Sequence, residues 1–424
     1  MKISANIDIR HLARVEGHGN ISIRIENGKL QEAKWEIVET PRFFEALLVG
    51  KKWENAPWIC GRICGICSIG HTLTSIRAIE NAFGIVPSVQ TQRLRLLLKH
   101  METLQSHILH LYFLSAPDFL GAGSVFPLIQ SAPEVVQRAA RLKQLANDVC
   151  DCVGGRRLHP TRTVVGGFTM LPDKKELEAF RERLKEMTGD LLVTAELFKT
   201  FRIPDFERET EFVSLKGESD YPFIGGDLIS SDGAHKKEYE YKEMTNEYVV
   251  EQSTSKWSRL SRRSFAVGAL ARLNNNFAFL QPEAGEIAGM FGLKPVSHNP
   301  FMNNVAQLVE CVHVVHESLL LIDELLASSQ EEPRQEVIPR GGIGVGAVEV
   351  PRGILYHCYE FDDNGRILKC DCVIPTSQNH GNIQHDLEEL AGRCAEAGRA
   401  DREIELLAQM LVRAYDPCIS CSVH

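Results

Sequence analysis

Two Cys-x-x-Cys pairs stand near opposite ends of this 424-residue sequence, Cys64 and Cys67 in RICGICSIGH and Cys418 and Cys421 in DPCISCSVH. A Cys-x-x-Cys turn places two sulfurs on one side, so two such turns can supply four thiolates to one metal centre. A fold in which they do so must bring the two ends of the chain together. This requirement constrains the architecture more than any other feature of the sequence.

Charge and hydropathy exclude several classes of protein. The formal net charge of -9 argues against a nucleic-acid-binding surface, which normally carries a basic excess. The N-terminal segment MKISANIDIR has no apolar core of a signal peptide, and no run approaches the roughly 18 apolar residues of a membrane span. We therefore expect a soluble chain without an export signal. Twelve cysteines in a chain of this length favour reduced thiols and metal ligation over a disulfide framework.

Hydrophobic periodicity predicts a mostly helical chain with two β-hairpins. One hairpin turns at Asn27-Gly28, a type I′ pattern, and the other turns at Asn364-Gly365. The predicted helices cover about residues 42–50, 71–115 with a break at 84–87, 133–150, 173–200, 301–329, 383–397 and 401–414. Because the sequence shows no internal repeat, low-complexity tract or linker, residues 1–424 are predicted to form one domain.

Two interpretations use the cysteines in other ways. A structural zinc site is typical of Cys-x-x-Cys pairs that lie roughly 15 to 20 residues apart, whereas these pairs lie at opposite ends. Adding Cys60 gives Cys-x-x-x-Cys-x-x-Cys, the spacing with which radical S-adenosylmethionine enzymes hold an iron–sulfur cluster. Those enzymes alternate strands and helices, which this sequence does not, and their cluster would leave Cys418 and Cys421 without a role.

The two cysteine motifs resemble the two signatures of the large subunit of nickel–iron hydrogenases. Five further segments match that family in order, namely ARVEGHG, PRFFEALLVGK, SHILHLYFLSAPD, GGRRLHPTRTVVGG and VPRGILYH. The resemblance covers nearly the whole chain. It implies an α+β fold, mostly helical, with a central helix bundle and peripheral antiparallel β-sheets. It also implies an enzyme that reversibly cleaves dihydrogen into protons and electrons.

The resemblance assigns a ligand role to each paired cysteine. In the family all four bind nickel, and the second of each pair also bridges to an iron that carries carbonyl and cyanide. Here Cys64 and Cys418 would be terminal nickel ligands, and Cys67 and Cys421 would be bridging ligands. Thiolates suit a soft, redox-active metal, which agrees with this assignment.

The resemblance also implies a proton acceptor and a fixed cation. Glu16, in RVEGHG, falls at the glutamate that begins the family's proton relay, next to the sulfur of Cys418. By itself, a lone glutamate is more often an exposed surface residue. Arg352, in VPRGILYH, corresponds to an arginine that reaches toward the cyanides and the open metal position. A guanidinium suits this place because it stays protonated and offers several donors.

Four further residues are expected around these groups. Asp118 and Asp416 would hold Arg352 or orient the ligands. His71 would hydrogen-bond a bridging sulfur, and Thr376 would hydrogen-bond a cyanide. Each of the four also has an ordinary structural explanation, as a helix cap, a core side chain or a strand-end residue.

A second metal position is implied at the end of the sequence. In the family a magnesium or similar ion is held by a glutamate, a backbone carbonyl and the final histidine. Glu45, Cys372 and His424 fall at these positions. Family precursors carry an extension that a maturation protease removes after nickel insertion, so this protease and nickel-insertion factors are expected partners. A sequence that ends at His424 resembles the mature product.

Other cysteines fall outside this ligand set. Cys60 is expected to be a buried thiol or a thiol that faces a partner. Cys370 and Cys372 are two positions apart on a predicted strand, so their side chains point to the same face. Cys150 and Cys152 repeat this spacing, and all four are interpreted as core residues.

Electron transfer requires partner chains, since no cysteine set is left over for a series of clusters. The family partner is a small subunit with iron–sulfur clusters. The motif wording most resembles the cytoplasmic, multisubunit, NAD(P)-linked sulfhydrogenases, which implies flavin-binding diaphorase subunits as well. The nearest alternative is the cofactor-F420-nonreducing branch that feeds heterodisulfide reductase. One component of respiratory complex I shares the fold but lacks the nickel cysteines, so the four cysteines here argue against that structural role.

Overall fold

The computed structural model describes residues 3–329 and 332–424. Helices dominate this part of the chain. The α-helices are α1 Phe44–Leu48, α2 Ala56–Cys60, α3 Ser68–Phe83, α4 Val89–Leu109, α5 Ala116–Phe119, α6 Leu128–Ser131, α7 Pro133–Gly154, α8 Lys174–Lys199, α9 Tyr241–Thr245, α10 Ala269–Asn276, α11 Pro282–Met290, α12 Asn303–Ala327, α13 Pro375–Glu396, α14 Asp401–Ala414 and α15 Ile419–Ser422. A π-helical turn, His110–Ser115, continues α4.

The strands form small sheets, most of them antiparallel. They are β1 Ala5–Ile9, β2 Gly19–Glu26, β3 Lys29–Ile37, β4 Thr163–Val164, β5 Gly167–Phe168, β6 Glu211–Leu215, β7 Leu228–Ser230, β8 His235–Lys236, β9 Phe265–Ala266, β10 Gly342–Val350, β11 Gly353–Phe361 and β12 Ile367–Val373. The sheet orders are β1-β2-β3, β10-β11-β12, β4-β5 and β8-β7-β6-β9, and only the pairing of β6 with β9 is parallel among the described strands. The α+β fold class is thereby confirmed.

The central helix bundle is built from four long helices. α4 packs against α7 and α12, and α8 packs against α7 and α12. The apolar stretch Pro300–Ala327 is long and apolar enough to cross a membrane, contrary to the expectation from the sequence. However, 78% of its most apolar window is buried inside the protein. In the described part of the chain this stretch is therefore the core helix of the bundle.

Most predicted elements agree with the structure, and α13 shows why one boundary does not. Its N-terminus is predicted near residue 383, but the helix begins at Pro375. The first turns carry buried polar side chains, including Thr376, Asn379 and His380, so they lack apolar periodicity. Hydrogen bonds compensate for this polarity, for example from the Val267 N–H to the Asn379 side chain. Tertiary partners, which periodicity does not reveal, therefore extend the helix.

α13 anchors the N-terminal sheet through Trp35 of β3. The Trp35 indole N–H donates to His380 Nδ1 at 3.1 Å, and its backbone N–H donates to the Gln384 side chain at 2.8 Å. The other ring nitrogen of His380 lies 3.0 Å from the Ser422 hydroxyl. These contacts tie the N-terminal sheet, α13 and the C-terminal segment together.

The buried His380 predicts a specific acid sensitivity. Burial lowers the pKa of His380 to about 3, whereas an unfolded histidine titrates near pH 6.5. Below pH 6.5 the unfolded chain therefore binds a proton that the folded chain does not, and stability falls by about 1.4 kcal/mol per pH unit until about pH 3. We expect His380→Gln to lose about 2 kcal/mol less unfolding free energy than the wild type between pH 6.5 and 5. Urea unfolding at both pH values measures this, with His11→Gln, at an exposed histidine, as the control. Equal pH dependence of both variants would contradict it.

Candidate metal centre

The two Cys-x-x-Cys pairs meet in the folded protein. Cys64 and Cys67 lie between α2 and α3, and Cys418 and Cys421 lie at α15. The Cys64 and Cys418 sulfurs are 3.6 Å apart, those of Cys67 and Cys421 are 3.9 Å apart, and those of Cys418 and Cys421 are 2.7 Å apart. All four are free, buried thiols. The fold therefore delivers four soft ligands to one small volume.

Backbone and side-chain donors hold these loops in place. Cys64 Sγ accepts hydrogen bonds from the N–H groups of Ile66 and Cys67, both at 3.2 Å. Thr376 Oγ1 accepts from the Cys418 N–H at 3.1 Å. Thr376 thus lies beside the second cysteine pair, and its predicted hydrogen bond to a cyanide stays a prediction.

Arg42 forms hydrogen bonds with both cysteine loops. The sequence analysis did not predict it as a site residue. Its Nη2 donates to the carbonyls of Ile63 at 2.7 Å and Ser420 at 2.5 Å. Its backbone N–H donates to the carbonyl of Val423 at 2.9 Å. The only signal in the sequence is its place in the matching segment PRFFEALLVGK.

Glu16 lies next to the second cysteine pair. The segments around Glu16 and Cys418 form a short parallel bridge, in which the Ile419 N–H donates to the Glu16 carbonyl at 2.9 Å. The Glu16 carboxylate lies 3.1 Å from Cys418 Sγ and accepts from the Ser420 N–H and hydroxyl. A carboxylate in this position can accept a proton from the thiol.

Arg352 and Asp416 form a buried ion pair near the thiols. Arg352 Nη2 donates to the Asp416 carboxylate at 2.8 Å, and Nε donates to the Asp416 carbonyl at 2.5 Å. Burial by itself lowers the pKa of Arg352, but Asp416 and the thiolates raise it above its usual value, so the guanidinium stays charged. Asp416 has φ 50°, a left-handed conformation that turns the chain between α14 and Cys418.

Asp118 requires a correction. The sequence motifs place it with Asp416 around Arg352, but in the structure its carboxylate binds Arg413 at 2.7 Å and also contacts Arg14. The physical reason is that Arg413 lies on α14, three residues before Asp416, and points its buried guanidinium toward α5. Asp118 therefore fastens α14 and the N-terminal segment to α5.

His71 lies between the thiols and a second buried histidine. It is close enough to Cys67 and Cys421 to share a ligand site with them. Its Nδ1 lies 3.2 Å from His357 Nε2. Burial and then His357 lower the pKa of His71 well below its usual value, so this imidazole is neutral at pH 7.

Glu45, Cys372 and His424 also come together. The Cys372 N–H donates to Glu45 Oε1 at 2.7 Å, and His424 Nε2 lies 3.5 Å from the same oxygen. Burial raises the pKa of Glu45, but His424 outweighs it and keeps the pKa below its usual value. A residue in an extended antiparallel strand directs its N–H and C=O to the same edge, so the Cys372 carbonyl points to the edge of β12 at which its N–H meets Glu45. Carboxylate and carbonyl oxygens are suitable ligands for magnesium.

The thiol geometry excludes the radical S-adenosylmethionine interpretation. Cys64 and Cys67 meet Cys418 and Cys421, whereas Cys60 Sγ lies against the Tyr359 hydroxyl at 3.1 Å and shares a separate cluster with His357 and Cys372. Four convergent buried thiols fit a soft metal, and the basic and acidic groups beside them suit proton transfer.

Comparison with known proteins gives the family. Residues 42–145 and 225–424 match the family described as Nickel-dependent hydrogenase, and residues 6–40 match one described as HoxL-like. The alpha chain of sulfhydrogenase 1 from Pyrococcus furiosus is 39% identical, over 99% of this chain and 97% of that one. The corresponding chain of the F420-non-reducing hydrogenase vhu from Methanocaldococcus jannaschii is 30% identical, over 91% of this chain and 98% of that one. A solved NAD+-reducing [NiFe]-hydrogenase in the H2-reduced state aligns with a TM-score of 0.89 at 26% identity, over 99% of both chains.

Family membership also excludes two interpretations of the Cys-x-x-Cys pairs and the fold, namely a structural zinc site formed by the four paired cysteines and a complex I subunit without nickel. The chain belongs to the nickel-dependent hydrogenase family and is the catalytic large subunit of a nickel–iron hydrogenase, with nickel and iron at its active site.

Proposed function

We propose that the four clustered thiolates hold the nickel–iron pair in the arrangement that the family motifs imply. Cys64 and Cys418 would be ligands of nickel alone, and Cys67 and Cys421 would be ligands of both nickel and an iron that carries carbonyl and cyanide. When bound, this pair supplies the Lewis acidity and redox capacity for reversible, heterolytic cleavage of dihydrogen. The closeness and complete burial of the four sulfurs support the assignment.

The contact between Cys418 and Glu16 carries the proposal. Heterolytic cleavage needs a base within hydrogen-bonding distance of the proton that is removed. The Cys418 thiol holds that proton first, and Glu16 Oε2, 3.1 Å away, accepts it. The Ser420 N–H and hydroxyl donate to the carboxylate and hold it beside the thiol. In hydrogen production the same two groups transfer the proton in the opposite direction.

Three nearby side chains position the ligands rather than react. Arg352, held by Asp416, keeps a permanent positive charge toward the thiolates and suits anionic cyanide. Thr376 supports the Cys418 loop and is available to a cyanide, and neutral His71 is available to a bridging sulfur. Their burial excludes water, which strengthens each electrostatic contact.

A magnesium or similar divalent ion at Glu45, the Cys372 carbonyl and His424 would close the C-terminal segment over the centre. The shared contacts of Glu45 with Cys372 and His424 support this site. The ion would stabilise the C-terminal loop, which Arg42 already holds through the carbonyls of Ser420 and Val423. We also expect a maturation protease and nickel-insertion factors to act during assembly of these metal sites.

Electrons released here require other chains. The proposed partner is a small subunit with iron–sulfur clusters, followed by flavin-binding diaphorase subunits that reduce NAD(P) in the cytoplasm. The likeness to a sulfhydrogenase chain at 39% identity, against 30% for an F420-non-reducing hydrogenase chain, favours this branch over electron delivery to heterodisulfide reductase. We further propose that residues 1–424 act as one domain.

The whole complex, purified without oxygen, tests this proposal. We expect one nickel per copy of this chain, infrared bands of metal-bound carbonyl and cyanide, and NAD(P) reduction by dihydrogen. If dihydrogen reduced viologen dyes but not NAD(P), the proposal that NAD(P) is the electron acceptor would be wrong, and the branch that feeds heterodisulfide reductase would be favoured. Nickel without the infrared bands would overturn the proposed iron ligands.

A further inference from the structure

A second group of metal-binding side chains lies on one face of the β10-β11-β12 sheet. His357 of β11 is directly opposite Cys372 of β12, and Tyr359 is directly opposite Cys370. Because side chains two residues apart on a strand share a face, the register collects two thiols, an imidazole and a phenol on one side of the sheet. The two-residue spacing of Cys370 and Cys372 noted in the sequence therefore places both thiols opposite His357 and Tyr359 of the hairpin partner strand, a register that the predicted hairpin alone did not specify.

The side chains of His357 and Cys372 are expected to lie close together because of the way the two residues pair across the strands. The Cys372 N–H bonds to Glu45 and not to β11, so this is a non-hydrogen-bonded pair, the type with the closer side chains. α2 ends at Cys60 and supplies a third thiol. The ligand atoms of Cys60, His357 and Cys372 all lie within 4.8 Å of one another, and all three residues are fully buried.

Cys370 is the candidate fourth ligand. Its sulfur lies outside the group of three whose ligand atoms are mutually within 4.8 Å, so it would have to move toward Cys60 and His357 when a metal binds. Its sulfur lies 3.9 Å from that of Cys372. In a tetrahedral zinc site with Zn–S bonds of about 2.3 Å, two sulfurs are separated by about 3.8 Å. The two sulfurs therefore already have the spacing of one edge of such a site. A closed set of three thiolates and one imidazole is typical of structural zinc, since it leaves no position for water or substrate.

We propose a third metal site in this chain, which binds one zinc ion through three thiolates and one imidazole, those of Cys60, Cys370, Cys372 and His357. It is distinct from the four-thiol centre, because Cys60 belongs to neither Cys-x-x-Cys pair. It is also distinct from the magnesium site, because it uses the side chain of Cys372 while the carbonyl of that residue faces Glu45.

The surrounding hydrogen bonds suit a ligated site. A metal-bound histidine usually donates its second ring N–H to a neighbour. With His357 Nδ1 on the metal, Nε2–H donates to His71 Nδ1, 3.2 Å away. In this structure the Tyr359 hydroxyl donates to Ser75 Oγ at 2.9 Å and lies 3.0 Å from His357 Nδ1 and 3.1 Å from Cys60 Sγ. A metal on Nδ1 would end its contact with the imidazole, and the hydroxyl would then have to turn from Ser75 to donate to the Cys60 thiolate. Zinc at this site would orient His71 beside Cys67 and Cys421 and brace the loop before Cys64.

Metal analysis of the whole complex, purified without oxygen and passed over a chelating column, tests the site. Nickel serves as the internal standard for correctly loaded protein. We expect Cys60→Ala to contain one zinc per chain less than the wild type at equal nickel. The control is Cys311→Ala, which removes another fully buried thiol, on α12, and should keep the full zinc content.

X-ray absorption at the zinc edge of the wild type provides a readout that does not depend on a variant folding. We expect three sulfurs at about 2.3 Å and one nitrogen around zinc. Equal zinc in wild type and Cys60→Ala, zinc with only oxygen and nitrogen neighbours, or no zinc in the wild type would each overturn the proposal. In the last case the cluster is a set of hydrogen-bonded thiols.

Discussion

Replacing Glu16 with glutamine is expected to reduce hydrogen uptake and hydrogen production by about 10²- to 10⁴-fold, the usual contribution of a positioned general base. Glutamine preserves the size of the side chain and one oxygen for the Ser420 N–H, so the C-terminal loop stays in place. It cannot accept the proton that leaves Cys418. Nickel content and the infrared bands should therefore stay as in the wild type while both rates fall together.

The matched control for this prediction is Glu26→Gln on β2, where the carboxylate is exposed. It removes the same charge ten residues further along the chain, away from the thiols, and should leave the rates unchanged. If Glu16→Gln with full nickel kept a rate within a few-fold of the wild type, the proton would leave by another route and Glu16 would be a structural residue.

Replacing Cys64 with serine is expected to abolish activity, with a rate below about 1% of the wild type, the loss expected when a metal ligand is removed and not merely reoriented. A serine hydroxyl is a hard, largely protonated group and cannot replace a thiolate for a soft metal. Loss of one of four ligands should also lower the nickel content of the purified complex. Hydrogen uptake and nickel per chain, measured on the same preparation, check both effects.

Cys150→Ser controls for the general cost of placing a hydroxyl in the core. Cys150 is fully buried on α7, so the substitution creates a comparable buried polar group, but its sulfur lies outside the four-thiol cluster. It should retain nickel and activity. A Cys64→Ser complex with full hydrogen activity would contradict the assignment of the four thiolates.

The sequence predicts the long helices and the hairpins well because their signals are local. Asn27 and Gly28 both have positive φ, as a type I′ turn requires, and α8 begins with the capping box of Asp173 and Glu176. The start of α13 was misplaced because its buried polar face depends on partners in other elements, such as Trp35. Periodicity contains no information about such partners.

The metal centre could be predicted only through family motifs, and its surroundings show the limit of that method. Motif order identifies which cysteines and which glutamate belong together, but not which cation an aspartate binds. Asp416 pairs with Arg352 as expected, whereas Asp118 pairs with Arg413. The cluster around Cys60 was missed because it depends on strand register, which pairs β11 with β12 and sets α2 against them.

The bridge between Glu16 and Cys418 has a consequence for biosynthesis. The two residues are 402 positions apart, so the base and the thiol meet only after almost the whole chain has left the ribosome. N-terminal segments emerge and fold first during synthesis. Cys64 and Cys67, two of the four proposed thiol ligands, are therefore available before Cys418 and Cys421. A factor that delivers the metals could therefore meet a site with only its first two thiols in place. The segment around Cys418, which pairs with the segment around Glu16, then completes the site. The four-thiol cluster and its neighbouring base can therefore be complete only after Cys421 has been synthesised.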